Sequence, residues 1–409
     1  MKRLLISVMG KGRAAPTGGL RYETTPYRFP EGEVRTATFF GGALFRHLAA
    51  PGPAPDLMVV GTTGSTWGLL EDFAIHSEVS LPPGWDAAHR EVEAAEAGQA
   101  SLEAALVRWE NLLAELLGVR VALVLLPDPP APQQVAQALG ERLAALGPYE
   151  EFHLDITHGY RYLGYALLGA LLPLRHAWGA RIQLHYGGLE LRGSAPEAPV
   201  VGLEALHELI ALDESLSVLA ATGDFRPYFA GTAQAQEAEE AYFFLETNQQ
   251  HLVKKRLSGL AEARNPWAGE NVHGWVREVL SGLDGENIED KMANRARFFW
   301  DRGQIFKALL LLFEAIVVLG VRRFGDQGQV LLYEARMDAR ERLEGWLWQM
   351  SPRWAAVYRE LRWVRNAIAH GTQPEQAEAQ RALSSPQGLV QVWKKGLGLM
   401  ETLKTQLWR

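Results

Sequence analysis

Five short apolar runs fall before residue 200, each closed by Gly, Pro or Thr. They are "RLLISV" (3–8), "DLMVVG" (56–61), "VRVALVLLP" (119–127), "YEEFHLDIT" (149–157) and "ARIQLHYG" (180–187). Between them lie helical patterns at 36–49, 99–118, 132–146 and 160–178. A chain that alternates strand and helix in this way forms a mostly parallel sheet with helices on both faces. Near-continuous apolar strands are what burial on both faces requires. From about 203 onward the pattern is helix after helix, at 203–220, 232–258, 285–300, 302–323, 329–348, 352–369 and 376–406, with a loop at 260–274. The expected fold class is therefore α/β followed by all-α, with the boundary near 200–215.

A chain of 409 residues is longer than one core ordinarily serves. The formal charge of −7 excludes a surface that traps polyanions everywhere, so any nucleic-acid site must be local. Between 291 and 365 there are 14 Lys+Arg against 8 Asp+Glu, a surplus of six, which leaves −13 on the rest. Cysteine is absent, which removes disulfides, thiolate nucleophiles and cysteine metal sites. The opening "MKRLLISVMGKG" reads as a buried strand. The longest apolar run, "ALLLLFEAIVVLGV" (308–321), is short for a membrane span and carries Glu314, so a core helix is expected. A cytoplasmic protein with no membrane association is the expectation.

Ligands of open α/β sheets bind beyond the carboxyl ends of the strands. Three such ends carry unusual residues. "VMGKGRAAPTGG" (8–19) offers Gly10, Lys11, Gly12 and Arg13. "VGTTGSTWG" (60–68) offers Thr62, Thr63, Ser65 and Trp67. "DITHGYR" (155–161) offers Thr157, His158, Gly159, Tyr160 and Arg161. Glycine lets backbone approach a ligand, N–H groups at a helix start favour anions, and Trp67 and Tyr160 are candidates to stack on bases. Together they suit a nucleotide or oligonucleotide with several phosphates. None is a G-x-x-x-x-G-K-[ST] or G-x-G-x-x-G loop, which argues against ATPase and dehydrogenase chemistry.

The helical half contributes "WVRNAIAHG" (363–371). Arg365 and His370 are five residues apart, about 140° around a helix and about 7.5 Å along it. They converge only if the helix ends before His370, which "HG" permits, or if a second copy of the chain supplies the partner. RNA brings its own nucleophile, the 2′-hydroxyl. A histidine to move protons and an arginine to stabilise the phosphorane would then complete a cleavage site without metal. Asn366 is a candidate to hold His370 or a phosphate oxygen.

These two stretches together carry a resemblance. "RNAIAH" resembles the R-x4-6-H motif of HEPN-domain ribonucleases. "DITHGYR" and "GTTGSTW" resemble the strand-end motifs of one subfamily of CARF domains, the Rossmann-like sensors of cyclic oligoadenylate, and "TGDFRPYF" (222–229) also looks like that subfamily. CARF first and HEPN last is the order of the accessory ribonucleases of type III CRISPR systems. The resemblance implies a CARF-like sensor at 1–205, a helical connector at 206–285 and a HEPN-like ribonuclease at 286–409. It makes Arg365 and His370 catalytic with Asn366 in support. It places Thr62, Thr63, Ser65, Trp67, Thr157, His158, Gly159 and Arg161 in the activator pocket, with Gly10, Lys11 and Gly12 beside them.

It further implies a homodimer or higher homo-oligomer, a single-stranded RNA substrate and no stable DNA binding. No cofactor is implied; the cyclic oligoadenylate is an allosteric activator, with tetra-adenylate the commoner ring in this subfamily, and slow degradation of the ring by the sensor half is an open point. Two alternatives stand beside it. One is a CARF-type regulator whose helical half only makes interactions. The other is a HEPN toxin outside CRISPR, against which "DITHGYR" speaks.

Overall fold

The computed structural model describes residues 2–14, 20–21, 23–76, 79–325 and 327–407. The chain divides into two compact units, 1–207 and 208–409.

In the first unit the strands are β1 (Arg3–Val8), β2 (Arg13–Ala14), β3 (Leu20–Arg21), β4 (Thr25–Arg28), β5 (Val34–Ala37), β6 (Asp56–Thr62), β7 (Val121–Leu126), β8 (Glu151–Asp155), β9 (Arg181–Gly187) and β10 (Ala198–Gly202). The helices are α1 (Phe40–Ala49), α2 (Asp72–Ile75), α3 (Trp85–Glu96), α4 (Leu102–Leu117), α5 (Pro132–Leu146) and α6 (Arg161–Trp178). Eight strands form one sheet in the order β5-β4-β10-β9-β8-β1-β6-β7. The five expected strands, β7-β6-β1-β8-β9, are all mutually parallel. The chain winds outward from β1 through β6 to β7, then crosses back to β8 and β9. The direction of winding therefore reverses between β1 and β8, where open sheets leave a crevice for ligands. On β1, Leu4, Leu5, Ile6 and Val8 are completely buried, as a central strand covered on both faces requires.

Strands β4, β5 and β10 add an edge that the sequence reading omits; β10 runs antiparallel to β9 and β4 runs parallel to β10. The helical pattern expected at 36–49 holds only from Phe40, because Val34–Ala37 pairs with β4.

The second unit is helical: α7 (Glu204–Thr222, which begins at the end of the first unit), α8 (Arg226–Phe229), α9 (Ala235–Glu246), α10 (Gln250–Glu262), α11 (Glu270–Ser281), α12 (Ile288–Asp301), α13 (Ile305–Phe324), α14 (Tyr333–Met350), α15 (Pro352–His370), α16 (Ala377–Leu383) and α17 (Pro386–Leu407). The single helix expected at 232–258 is broken at Asn248, whose φ of 57° is a left-handed conformation that asparagine tolerates. Part of the loop expected at 260–274 is the start of α11. Two buried apolar clusters lie in this unit, one over α7–α11 and one over α12–α17. Helix α13 is apolar all round, and every residue from Leu311 to Val321 is buried, so it is the central helix of the second cluster. Among the described residues no helix is long and apolar enough to cross a membrane.

Candidate functional site

At the crevice of the α/β unit the loops after β1 and β6 are laced together. Thr66 N–H donates to Gly10 O at 3.0 Å, and Gly12 N–H donates to Thr66 Oγ1 at 2.9 Å. Ser65 Oγ donates to Met9 O at 2.9 Å and accepts from Thr62 N–H at 2.8 Å. Thr62 Oγ1 accepts from Gly64 N–H at 3.2 Å. Ser65 and Thr62 are buried, so their hydroxyls fix the loops and do not face a ligand. Trp67 corrects the expectation of a stacking platform. It is wholly buried in the apolar core, with its indole N–H on Thr62 O at 3.0 Å. An indole in that position braces the loop from beneath.

The loop after β8 closes the other side. Asp155 accepts from Ser7 Oγ at 2.5 Å and from Thr157 N–H at 2.8 Å, and Thr157 Oγ1 accepts from Gly187 N–H at 2.8 Å. Burial pushes the Asp155 carboxyl up to about 6, against the hydrogen bonds that favour its charged form. Gly159 has φ of 79°, and a Cβ there would stand 2.5 Å from Val8 Cγ1. Only glycine lets this backbone lie on the end of β1.

His158 corrects a second expectation. It is half-buried, its ring stacks on Phe39 at 5.7 Å, and Nε2 accepts from Phe40 N–H at 3.3 Å. Phe39, the residue before α1, has no capping side chain, so His158 supplies the missing acceptor from another strand end. Desolvation lowers its pKa to about 4, so the imidazole is neutral and contributes no charge to an anion.

The groups left at the mouth are Lys11, Thr63, Gly159, Tyr160 and Arg161, all exposed, with Arg161 the first residue of α6. Tyr160 donates to Asp128 Oδ1 at 2.5 Å and stacks on Tyr162, so Asp128, at the end of β7, joins the rim although the sequence reading passed over it. Segment 15–19 and the Arg13 side chain lie outside the described residues.

In the helical unit Arg365 and His370 lie on one continuous helix, α15. The helix runs through His370 and stops at Gly371, whose φ of 63° is the left-handed capping conformation. The expectation that the helix could end early and fold the two together is therefore corrected. Their faces diverge by about 140°. Arg365 turns inward. Its Nη2 donates to Glu314 Oε1 at 3.0 Å, its Nη1 donates to Asn366 Oδ1 at 2.7 Å, and its guanidinium lies 4.8 Å over the Phe313 ring. Asn366 thus braces Arg365 and not His370. His370 is exposed at the helix end.

Glu314 is the residue that holds this cluster. It lies buried on α13 and also accepts from Arg340 Nη2 and, at 3.5 Å, from Arg336 Nη1, both on α14. One carboxylate faces three guanidiniums from two neighbouring helices, so two positive charges remain in excess. A lone acid in an apolar helix is the sequence feature that points to such a cluster, because a buried charge must be paired. Its partners are not legible in the same way, since they lie 22, 26 and 51 residues away. Among the described residues no group of three or more His, Asp or Glu side chains is arranged to hold a metal ion.

The fold and the two clusters define a chain of two parts: an α/β unit with a polar crevice at its sheet reversal, and a helical unit with an arginine-rich cluster and an exposed histidine. Among solved structures it is similar to Enterococcus italicus Csm6 bound to cyclic hexa-2'-fluoro-hexa-dAMP, with 12% identity, 100% of this chain and 94% of that chain covered, and a TM-score of 0.39. No protein-family model matches the sequence, and no curated protein matches it.

Proposed function

We propose that this protein is a CARF–HEPN accessory ribonuclease of type III CRISPR defence, in which a cyclic oligoadenylate at the α/β crevice activates metal-independent cleavage of single-stranded RNA by the helical unit. The observation that carries the reading is the surplus of two positive charges on Glu314 beside "RNAIAH", in a chain whose "DITHGYR" lies at the sheet reversal. A half-buried guanidinium already oriented by a carboxylate stabilises a phosphorane without reorganising.

Cleavage forms the 2′-O–P bond and breaks the P–O5′ bond. One proton leaves the 2′-hydroxyl and one is delivered to the 5′-oxygen. His370 moves protons, Arg365 holds the phosphoryl oxygens, and Asn366 keeps Arg365 aligned. Since Arg365 and His370 point apart on α15, a homodimer would complete the site with one copy of each from either chain. At the crevice, Arg161 and Lys11 would meet ring phosphates, with the Gly159 backbone close to the ligand.

The test is cleavage of a fluorescent RNA reporter by the purified protein in EDTA, with each cyclic oligoadenylate in turn. The expected result is cleavage only with a cognate ring, leaving 2′,3′-cyclic phosphate and 5′-hydroxyl ends. Products with 5′-phosphate would point to another mechanism. Ring binding without any cleavage would favour a ligand-sensing regulator.

A further inference from the structure

Helices α15, α16 and α17 enclose an open groove of about 910 Å³. Five cationic and two acidic side chains line it, a surplus of three positive charges. Lys395 pairs with Glu360 at 2.8 Å, Arg381 with Glu378 at 3.9 Å and Arg359 with Glu344 at 3.6 Å. Arg353 and Lys394, both exposed, have no carboxylate partner among the described residues. Trp354 and Trp363, both half-buried, also line the groove, and the Arg353 guanidinium lies 5.4 Å over the Trp354 ring. Aromatic faces beside unpaired cations match a strand whose bases are unstacked and whose backbone is anionic. A second copy of this chain, which carries −7 overall, offers no such stacked array.

The groove also has a direction. Trp363 and His370 are seven residues apart on α15, so they share a face within about 20° and lie about 10.5 Å apart along the axis. Arg365 points to the opposite side, toward Glu314. Of the two tryptophans only Trp363 is on the His370 face; Trp354, nine residues earlier, is about 180° from it, so the groove crosses α15 and its Trp363 end is the one toward His370.

We propose that this groove is the substrate-strand site: single-stranded RNA crosses α15 with bases on Trp354 and Trp363 and phosphates on Arg353 and Lys394, and leads from its Trp363 end to His370. The proposal rests on the ribonuclease reading for its choice of RNA.

The test uses the full chain carrying His370→Ala, so that bound RNA is not cut, with labelled oligouridylate followed by fluorescence anisotropy across a salt series. Adding Arg353→Glu and Lys394→Glu should weaken binding at least about 10-fold and make the salt dependence shallower by about 1.4, the share of two phosphates on a single strand. Trp363→Phe is the second variant; it keeps a ring and should weaken binding less than the charge pair. A duplex of the same length should bind more weakly than the single strand. Unchanged affinity and unchanged slope would overturn the proposal. So would a change in assembly mass by light scattering with RNA affinity intact, which would make the groove an interface between copies. If the wild-type chain cuts no RNA with any ring yet the double variant still loses affinity, the ribonuclease reading fails and the groove stands. If the wild type cuts and the double variant binds as before, the groove alone fails.

Discussion

Arg365 Nη2 donates to Glu314 Oε1 across the α15–α13 interface at 3.0 Å, so the arginine of "RNAIAH" is held in place by a buried carboxylate. That carboxylate also holds Arg336 and Arg340. Removing it leaves three guanidiniums with no counter-charge in a partly desolvated site. Breaking one member of a buried ion cluster costs about 3–5 kcal/mol. Glu314→Gln should therefore lower the unfolding free energy of the chain by about 3 kcal/mol or more. Glu344→Gln is the control. Glu344 also serves two arginines, Arg359 and Arg362, but its side chain is about one-third exposed, and its loss should cost under about 1 kcal/mol. Denaturant unfolding of the two variants side by side checks the contrast, and equal costs would refute it.

Activity and stability should separate along α15. His370→Ala should reduce ring-activated RNA cleavage at least about 100-fold, the scale of general acid–base groups, while the melting temperature stays that of wild type, because His370 is exposed at the helix end. Arg365→Ala should lose activity on the same scale and also some stability, because it leaves Glu314 with two partners. Asn366→Ala removes the 2.7 Å brace and should cost about 10-fold, the value of one hydrogen bond to a charged group. Ring binding should persist in all three. Wild-type cleavage by His370→Ala would remove it from the site.

The parallel strands were legible because each is a bounded apolar run, and the reversal point followed from their order in space, which the sequence does not display. Strand β10, "APVVG", is too short and Pro-interrupted to stand out. Helix α11 begins with "ENVHG", whose Asn and Gly read as loop, although His273, Val276 and Leu280 bury its inner face. Trp67, Ser65 and His158 lie on the loops at the sheet reversal, but type and position alone do not tell a group open to the crevice from one that holds the loop. That distinction rests on partners such as Thr62 O and Phe40 N–H, which only the folded chain brings within reach. Glu314 is the converse case, visible in sequence as a buried charge whose partners were not.

Acid stability gives a test of the α/β interior. Burial, reinforced for His153 by neighbouring positive charge, holds His153 at about 3; burial holds His158 and His185 at about 4. Their ordinary value is 6.5, so the unfolded chain binds protons that the folded chain does not, and these residues make stability fall as pH drops below about 6.5. Asp155 acts in the opposite sense. Its folded pKa of about 6 lies above the ordinary 3.8, so its contribution is greatest below about 3.8 and is lost as pH rises through about 6. Between about pH 5 and 6 the three histidines outweigh Asp155, so unfolding takes up protons and stability should fall as the pH is lowered through that window. His185→Gln should flatten the measured dependence by about one proton, and Asp155→Asn should steepen it by about one. Identical slopes in both variants would mean that these side chains are not buried in the states assigned to them.

At the crevice, one loop should yield three different phenotypes. Arg161 is exposed on the first turn of α6, so Arg161→Ala removes charge without disturbing the fold. A charged hydrogen bond contributes about 1.5–3 kcal/mol, so the activator concentration for half-maximal RNA cleavage should rise at least about 10-fold, with much of the rate restored at saturation. His158→Ala removes the acceptor for Phe40 N–H and the ring against Phe39. It should lower the melting temperature, and His158→Asn, which can still accept that bond, should recover part of the loss. Gly159→Ala forces a Cβ to within 2.5 Å of Val8 Cγ1 at a φ of 79°, so it should displace the loop and weaken ring binding without removing any polar group. Calorimetric titration with the ring, beside thermal melts of each variant at one salt concentration, separates the three. An unchanged binding constant for Arg161→Ala would take it out of the pocket. If Gly159→Ala also bound the ring like wild type, the loop after β8 would not be the sensor.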